Sequence, residues 1–144
     1  MKAATLCVVA FAVIASACAP SLPGGGELTI PSQWTLVSLG PQGEETTSIE
    51  GSPITIELGP DGTVSGSAGC NSFGGAFELQ GSTLTFKDVS STLMACSDES
   101  VTQLEQQFLE ALRTAIRFEL TGESLTIWYG DGQSKLELVR LQPD

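Results

Sequence analysis

Four cysteines, Cys7, Cys18, Cys70 and Cys96, and 17 acidic side chains are the groups of this 144-residue chain best equipped for chemistry; histidine is absent. Without imidazole there is no Ser–His–Asp or Cys–His nucleophile pair, no H-E-x-x-H zinc site and no histidine acid or base. No two cysteines stand in a C-x-x-C spacing, so the sequence implies no metal and no cofactor. Two carboxylates can perform glycoside hydrolysis, but none of the 17 stands out as a pair, and Glu44, Glu45 and Glu50 read as a solvated acidic loop. Asp61-Gly62 and Asp131-Gly132 read as hairpin turns, since neither heads a calcium loop of alternating acidic ligands ending in Glu. The string Gly66-Ser67-Ala68-Gly69-Cys70-Asn71-Ser72-Phe73-Gly74-Gly75 lacks the G-K-[ST] of a phosphate loop and lies between strands. Its four glycines imply positive φ angles and close backbone approach where a sheet bends, with Asn71 bonding neighbouring backbone amides. A ligand-contacting loop is the alternative. Six basic residues against 17 acidic ones give a net charge of −11, which argues against a nucleic-acid binder.

The N-terminus supplies an address. Lys2 precedes an apolar run from Ala3 to Ala17, broken only by Thr5 and Ser16. As a helix, the run would rise about 22 Å, short of the roughly 30 Å hydrocarbon core, so it reads as a signal peptide over residues 1–17. Ala15-Ser16-Ala17-Cys18 admits two cleavages before Cys18: an ordinary A-x-A site, or a lipobox in which Cys18 is first acylated. The second resembles bacterial lipoproteins, with Ala15 where leucine is usual. The Pro- and Gly-rich stretch from Ala19 to Gly26 then serves as a tether within residues 18–30. So acidic a body would be repelled by anionic headgroups, leaving acyl chains on Cys18 to hold it at a membrane.

The body must position the remaining residues, and it reads as short strands with turns. Trp34–Leu39, Ile54–Leu58 and Thr63–Ala68 form the first three, the last two joined by Gly59-Pro60-Asp61-Gly62. Ala76–Leu79 and Thr83–Phe86 flank Gln80-Gly81-Ser82, and Arg117–Leu120, Ser124–Tyr129 and Lys135–Leu141 form a meander. One stretch changes period: Val101, Leu104, Phe108, Leu112 and Ala115, widened by Leu109, Ala111 and Ile116, make an apolar helical stripe with Gln103, Glu105, Gln106 and Glu110 off it. Asp98, Glu99 and Ser100 start the helix, with Ser100-x-x-Gln103 as a capping box and Arg113 and Arg117 near its end. Trp34, Trp128 and Tyr129 read as core or rim aromatics. These elements predict an α+β domain: an antiparallel, mostly β, barrel-like sheet of seven or eight strands, with one amphipathic helix across an open end or face.

Gly69-Cys70-Asn71-x-Phe73-x-Gly75, then Ser91-Thr92-x-Met94-Ala95-Cys96, then Glu105 to Leu112, with Trp34-x-Leu36 upstream, resemble the META (HslJ-like) domain family over residues 31–144. The resemblance implies a small β-barrel with one helix, often borne on envelope lipoproteins, some linked to stress responses. It brings no catalytic residue and no cofactor.

If Cys7 leaves with the leader and Cys18 carries lipid, only Cys70 and Cys96 remain, and in an oxidising compartment they are expected to form one structural disulfide. Two buried free thiols are the alternative. The function expected is that of an exported, membrane-anchored binding or assembly module whose partner is an envelope protein or apolar ligand. The alternative is a small hydrolase using carboxylates or Ser and Thr.

Overall fold

The ten-residue strand β1 (Ser32–Pro41) buries alternate side chains and is the seam of the fold, because strands pair with it on both edges. Trp34 faces Ile56 of β3 (Thr55–Leu58) on one side and Arg140 of β9 (Ser134–Arg140) on the other. Two-residue β2 (Thr46–Thr47) adds to the far end of β1. Beyond β3 follow β4 (Thr63–Ser67), β5 (Ser72–Gln80) and β6 (Thr83–Ser91); beyond β9 lie β8 (Ser124–Tyr129) and β7 (Ala115–Thr121). The antiparallel order is β6-β5-β4-β3-β1-β9-β8-β7, and the Phe118 N–H of β7 donates to the Ser82 carbonyl beside β6 at 2.9 Å. The sheet is therefore a nearly closed barrel, with α1 (Glu99–Arg113) the one helix among the described residues. This is a computed structural model that describes residues 26–141; the expected leader, Cys18 and most of the tether lie outside the described residues.

Apolar side chains fill the barrel, with Trp34 at 0% exposure. Val101, Leu104, Phe108, Leu109 and Leu112 turn one face of α1 onto the barrel mouth, where the Phe108 ring meets Phe73 edge-on at 5.4 Å. Helix α1 begins differently from the capping box expected. Asp98 is the N-cap and accepts from the Ser100 N–H at 2.8 Å, while Gln103 reaches Glu99 instead. The bonds from Ser100 hold the Asp98 carboxyl below its ordinary range.

The helix also stops sooner than the stripe implied. Thr114 leaves helical geometry, and Ala115 and Ile116 already belong to β7, whose apolar residues continue the stripe by coincidence of spacing. Arg117 is accordingly not at the helix end; its guanidinium lies 4.3 Å from the Trp128 ring. Strands β5 and β6 exceed the expected hairpin because Gly74 and Gly75 mask the pattern of a strand. A Cβ on Gly75 would meet the Lys87 carbonyl at 2.7 Å, where the β5–β6 register shifts. Of the four glycines expected at positive φ, Gly69 is at +105° and Gly66 near extended at +159°, while Gly74 and Gly75 are not in that region.

The acidic loop is not simply solvated. Glu45 accepts from the Gly43 N–H and lies 3.6 Å from Lys135, which also pairs with Glu137; Glu137 accepts from Ser38 as well. Backbone amides of Glu45 and Gly43, with Lys135, lower the Glu45 carboxyl, whereas Lys135 and then Ser38 lower that of Glu137. Glu137 above all raises Lys135.

Depressed carboxylates stabilise above their unfolded value of 4.5 and lose that contribution as pH falls through their folded values; raised Lys135 stabilises below 10.5 and loses it as pH rises further. Lys135→Met should therefore lower the melting temperature across the middle of the pH range, and the two curves should converge at both extremes. Separately, a Cβ on Gly66 would sit 2.0 Å from the Thr55 carbonyl, so Gly66→Ala should destabilise by about 3 kcal/mol in urea unfolding, near the top of the overpacking range. Gly81→Ala, at positive φ but in open space, should cost about 1 kcal/mol.

Candidate functional site

Between β4 and β5 the chain turns through a tight corner. The Ala68 N–H donates to the Asn71 carbonyl at 2.7 Å, and Gly69 supplies the positive φ. The corner carries Cys70 and Asn71 under the first turns of α1, where Asn71 is only 3% exposed. Its side-chain amide does not bond its neighbours, as the sequence suggested, but reaches two remote segments. Asn71 Oδ1 accepts from the Met94 N–H and the Thr92 hydroxyl, both at 2.8 Å. Asn71 Nδ2 donates to Glu105 Oε1 at 2.8 Å and to the Met94 carbonyl at 3.3 Å. The Asn71 backbone N–H donates to Glu105 Oε2 at 2.7 Å. The amide thus pairs with both backbone groups of Met94 and, with its own N–H, with both oxygens of Glu105.

Glu105 is the residue that sequence reasoning misplaced. Spacing set it off the apolar stripe, yet it is 7% exposed. Burying a carboxylate is costly unless charged hydrogen bonds compensate, and two N–H donors of Asn71 do so here. The signal available was that Glu105 opens one of the segments that, with the one holding Asn71, carry the family resemblance; helical periodicity alone counts it as polar surface.

A covalent tie runs parallel to this network. Cys70 and Cys96 form a disulfide with Cα atoms 6.0 Å apart, fastening the corner to the loop before α1. Ser72 and Thr92 add a backbone bond at 3.0 Å and a bond from the Ser72 N–H to the Thr92 hydroxyl at 3.2 Å. Gly69, Cys70, Asn71, Thr92, Met94, Cys96 and Glu105 therefore converge. Phe73 lies beside them under Phe108; Gly75 serves the β5–β6 approach, and Trp34 and Leu112 are core. Trp34 donates to Ser32 Oγ at 3.0 Å and stacks 4.5 Å from the Arg140 guanidinium. Trp128 and Tyr129 are half-buried on β8, Tyr129 packing against the core.

Chemically, the site is closed upon itself. The two sulfurs and the Glu105 carboxylate lie within 4.8 Å of one another, which is metal-ligand spacing, but both sulfurs are joined and both oxygens accept from Asn71. What the arrangement does is fix the loop from Thr92 to Asp98. An open groove of about 480 Å³ beside it is lined by Asn71, Met94, Thr102 and Glu105 among others.

A family model of the META domain matches residues 27–142. The chain belongs to the META domain family. Its fold is similar to the NMR structure of a protein from Burkholderia xenovorans, with a TM-score of 0.69 and 22% identity over 87% of this chain and 100% of the other. A second NMR structure has a TM-score of 0.59 and 26% identity over 75% of this chain and 87% of the other. The crystal structure of a DUF4847 family protein from Bacteroides vulgatus has a TM-score of 0.54 and 15% identity, covering 79% and 95%. No match was found among curated proteins. In this META domain the motif residues are chiefly the parts of one buried joint.

Breaking the joint should be expensive. Glu105→Leu strands two buried donors of Asn71 and should cost about 2–4 kcal/mol in urea unfolding. Cys70→Ser, Cys96→Ser and the double variant should each cost about 3–4 kcal/mol, the value for closing a loop of this length, given the separation of 26 residues.

Proposed function

We propose that this META domain is a non-catalytic binding or assembly module, exported and held at a membrane by acyl chains on Cys18. The observation that carries the non-catalytic part is the saturation of the joint. Asn71, Glu105, Cys70 and Cys96 bond to one another and to backbone, so the motif presents a fixed surface instead of a poised nucleophile, acid or base. Two other carboxylates within reach of each other, Glu45 and Glu137, are both tied to Lys135.

The anchoring part rests on the apolar leader and on Ala15-Ser16-Ala17-Cys18. The described chain begins consistently with it. The Gly26 N–H donates to the Leu120 carbonyl near the end of β7 remote from α1, and Leu28 is buried. Seven residues lie between Cys18 and Gly26, so the eight steps of chain reach at most about 28 Å. On this reading the helix-covered mouth faces away from the bilayer.

Mass spectrometry of the N-terminus of the exported protein decides the address. The reading expects a chain that begins at an acylated Cys18 and leaves the membrane fraction on Cys18→Ala substitution. An unmodified Cys18 in culture fluid would refute anchoring while leaving export intact.

A further inference from the structure

We propose that Leu93 and Met94 form a docking anchor for a partner protein that offers an apolar pocket rimmed by basic side chains. The proposal rests on the binding-module reading and names the surface and partner chemistry it lacks. Leu93 is 95% exposed and Met94 61% exposed. Isolated apolar side chains are common on surfaces and carry no meaning alone. These two differ because hydrogen bonds and a disulfide tie the backbone around them. Thr92 is bonded to Asn71 and Ser72, Met94 is paired to Asn71 through both its N–H and its carbonyl, and Cys96 is bridged to Cys70. A tip held in this way avoids part of the ordering cost that a mobile loop would meet on binding.

Charge selects the occupant. Residues 92–100 contain Asp98 and Glu99 and no basic side chain, and Glu50 lies across the depression beside Cys96. The basic residues of the described region are all engaged elsewhere. Lys87 pairs with Glu78, Lys135 with Glu45 and Glu137, and Arg113 reaches the Val89 carbonyl; Arg117 and Arg140 stack on tryptophans. The loop that carries the tip is therefore flanked by Asp98 and Glu50 in the depression beyond Ala95 and Cys96, no basic side chain lines either depression beside it, and the chain's net charge is −11. A second copy or an anionic bilayer would bring like charge to those carboxylates, whereas a basic rim complements them and speeds encounter.

The test uses the exported Cys18→Ala chain, ¹⁵N-labelled and free of lipid, titrated with three synthetic amphipathic peptides: Lys–Leu, Lys–Ser at equal charge, and Glu–Leu. Expected are amide shifts confined to residues 92–106 with the Lys–Leu peptide. Binding should be at least tenfold weaker with Lys–Ser or with Leu93→Ser/Met94→Ser, stronger at low salt, and absent with Glu–Leu. Both substituted positions are exposed, so an unchanged melting temperature confirms that the variant is folded. Shifts elsewhere on the barrel, or binding indifferent to the double substitution, would overturn the proposal. So would self-association, or pelleting with phosphatidylglycerol vesicles, that the double substitution abolishes. A lipidated chain whose tip does not bind loses this inference and keeps its anchor; an unlipidated chain whose tip binds does the reverse.

Discussion

One buried side-chain amide joins the three parts of this molecule that the sheet cannot join. Asn71 stands at the corner between β4 and β5, and from there it bonds the loop before α1 and a carboxylate on α1 itself. A buried amide has four hydrogen-bonding valences to satisfy, and leaving one unmade costs more than a made bond contributes. That requirement is directional. It sets where Met94 must lie and how far α1 can slide over the barrel mouth, which apolar packing of Phe108 on Phe73 would leave loosely defined.

Glu105 shows the same logic in reverse. A carboxylate under a helix is ordinarily matched by a cation, and here both oxygens accept from N–H groups of one asparagine residue. The pairing makes corner and helix interdependent: neither Asn71 nor Glu105 is satisfied without the other. The Cys70–Cys96 bridge acts on the same two segments by a different route, chiefly by restricting the unfolded chain. Covalent and hydrogen-bonded ties therefore reinforce one geometry, that of the loop carrying Leu93 and Met94.

Much of the fold was legible because period-two and helical patterns are local. Ile54–Leu58, the Gly59–Gly62 turn and the Ser124–Tyr129 strand follow directly from side-chain alternation and turn chemistry. Legibility failed where a local pattern had two physical meanings. Ala115 and Ile116 extend a helical stripe but belong to β7, because Thr114 ends the helix without a glycine or proline to mark the stop. Gly74 and Gly75 look like a loop and are strand, their missing side chains serving the close approach of β6. In the site, the bridge followed from cysteine arithmetic. The Asn71–Glu105 bond did not, since 34 residues separate the partners and no period connects them.

Everything the joint does for the tip loop depends on Asn71 holding Met94 in place. Amide hydrogen exchange of Met94 tests it most directly, because that N–H donates to Asn71 Oδ1 on an otherwise exposed loop. Protection of the Met94 amide should approach that of Phe118, which bonds Ser82 where the barrel nearly closes, and should be lost in Asn71→Ala while Phe118 remains protected with the disulfide intact. A Met94 amide that exchanges at the rate of a free peptide in the unaltered protein would contradict it.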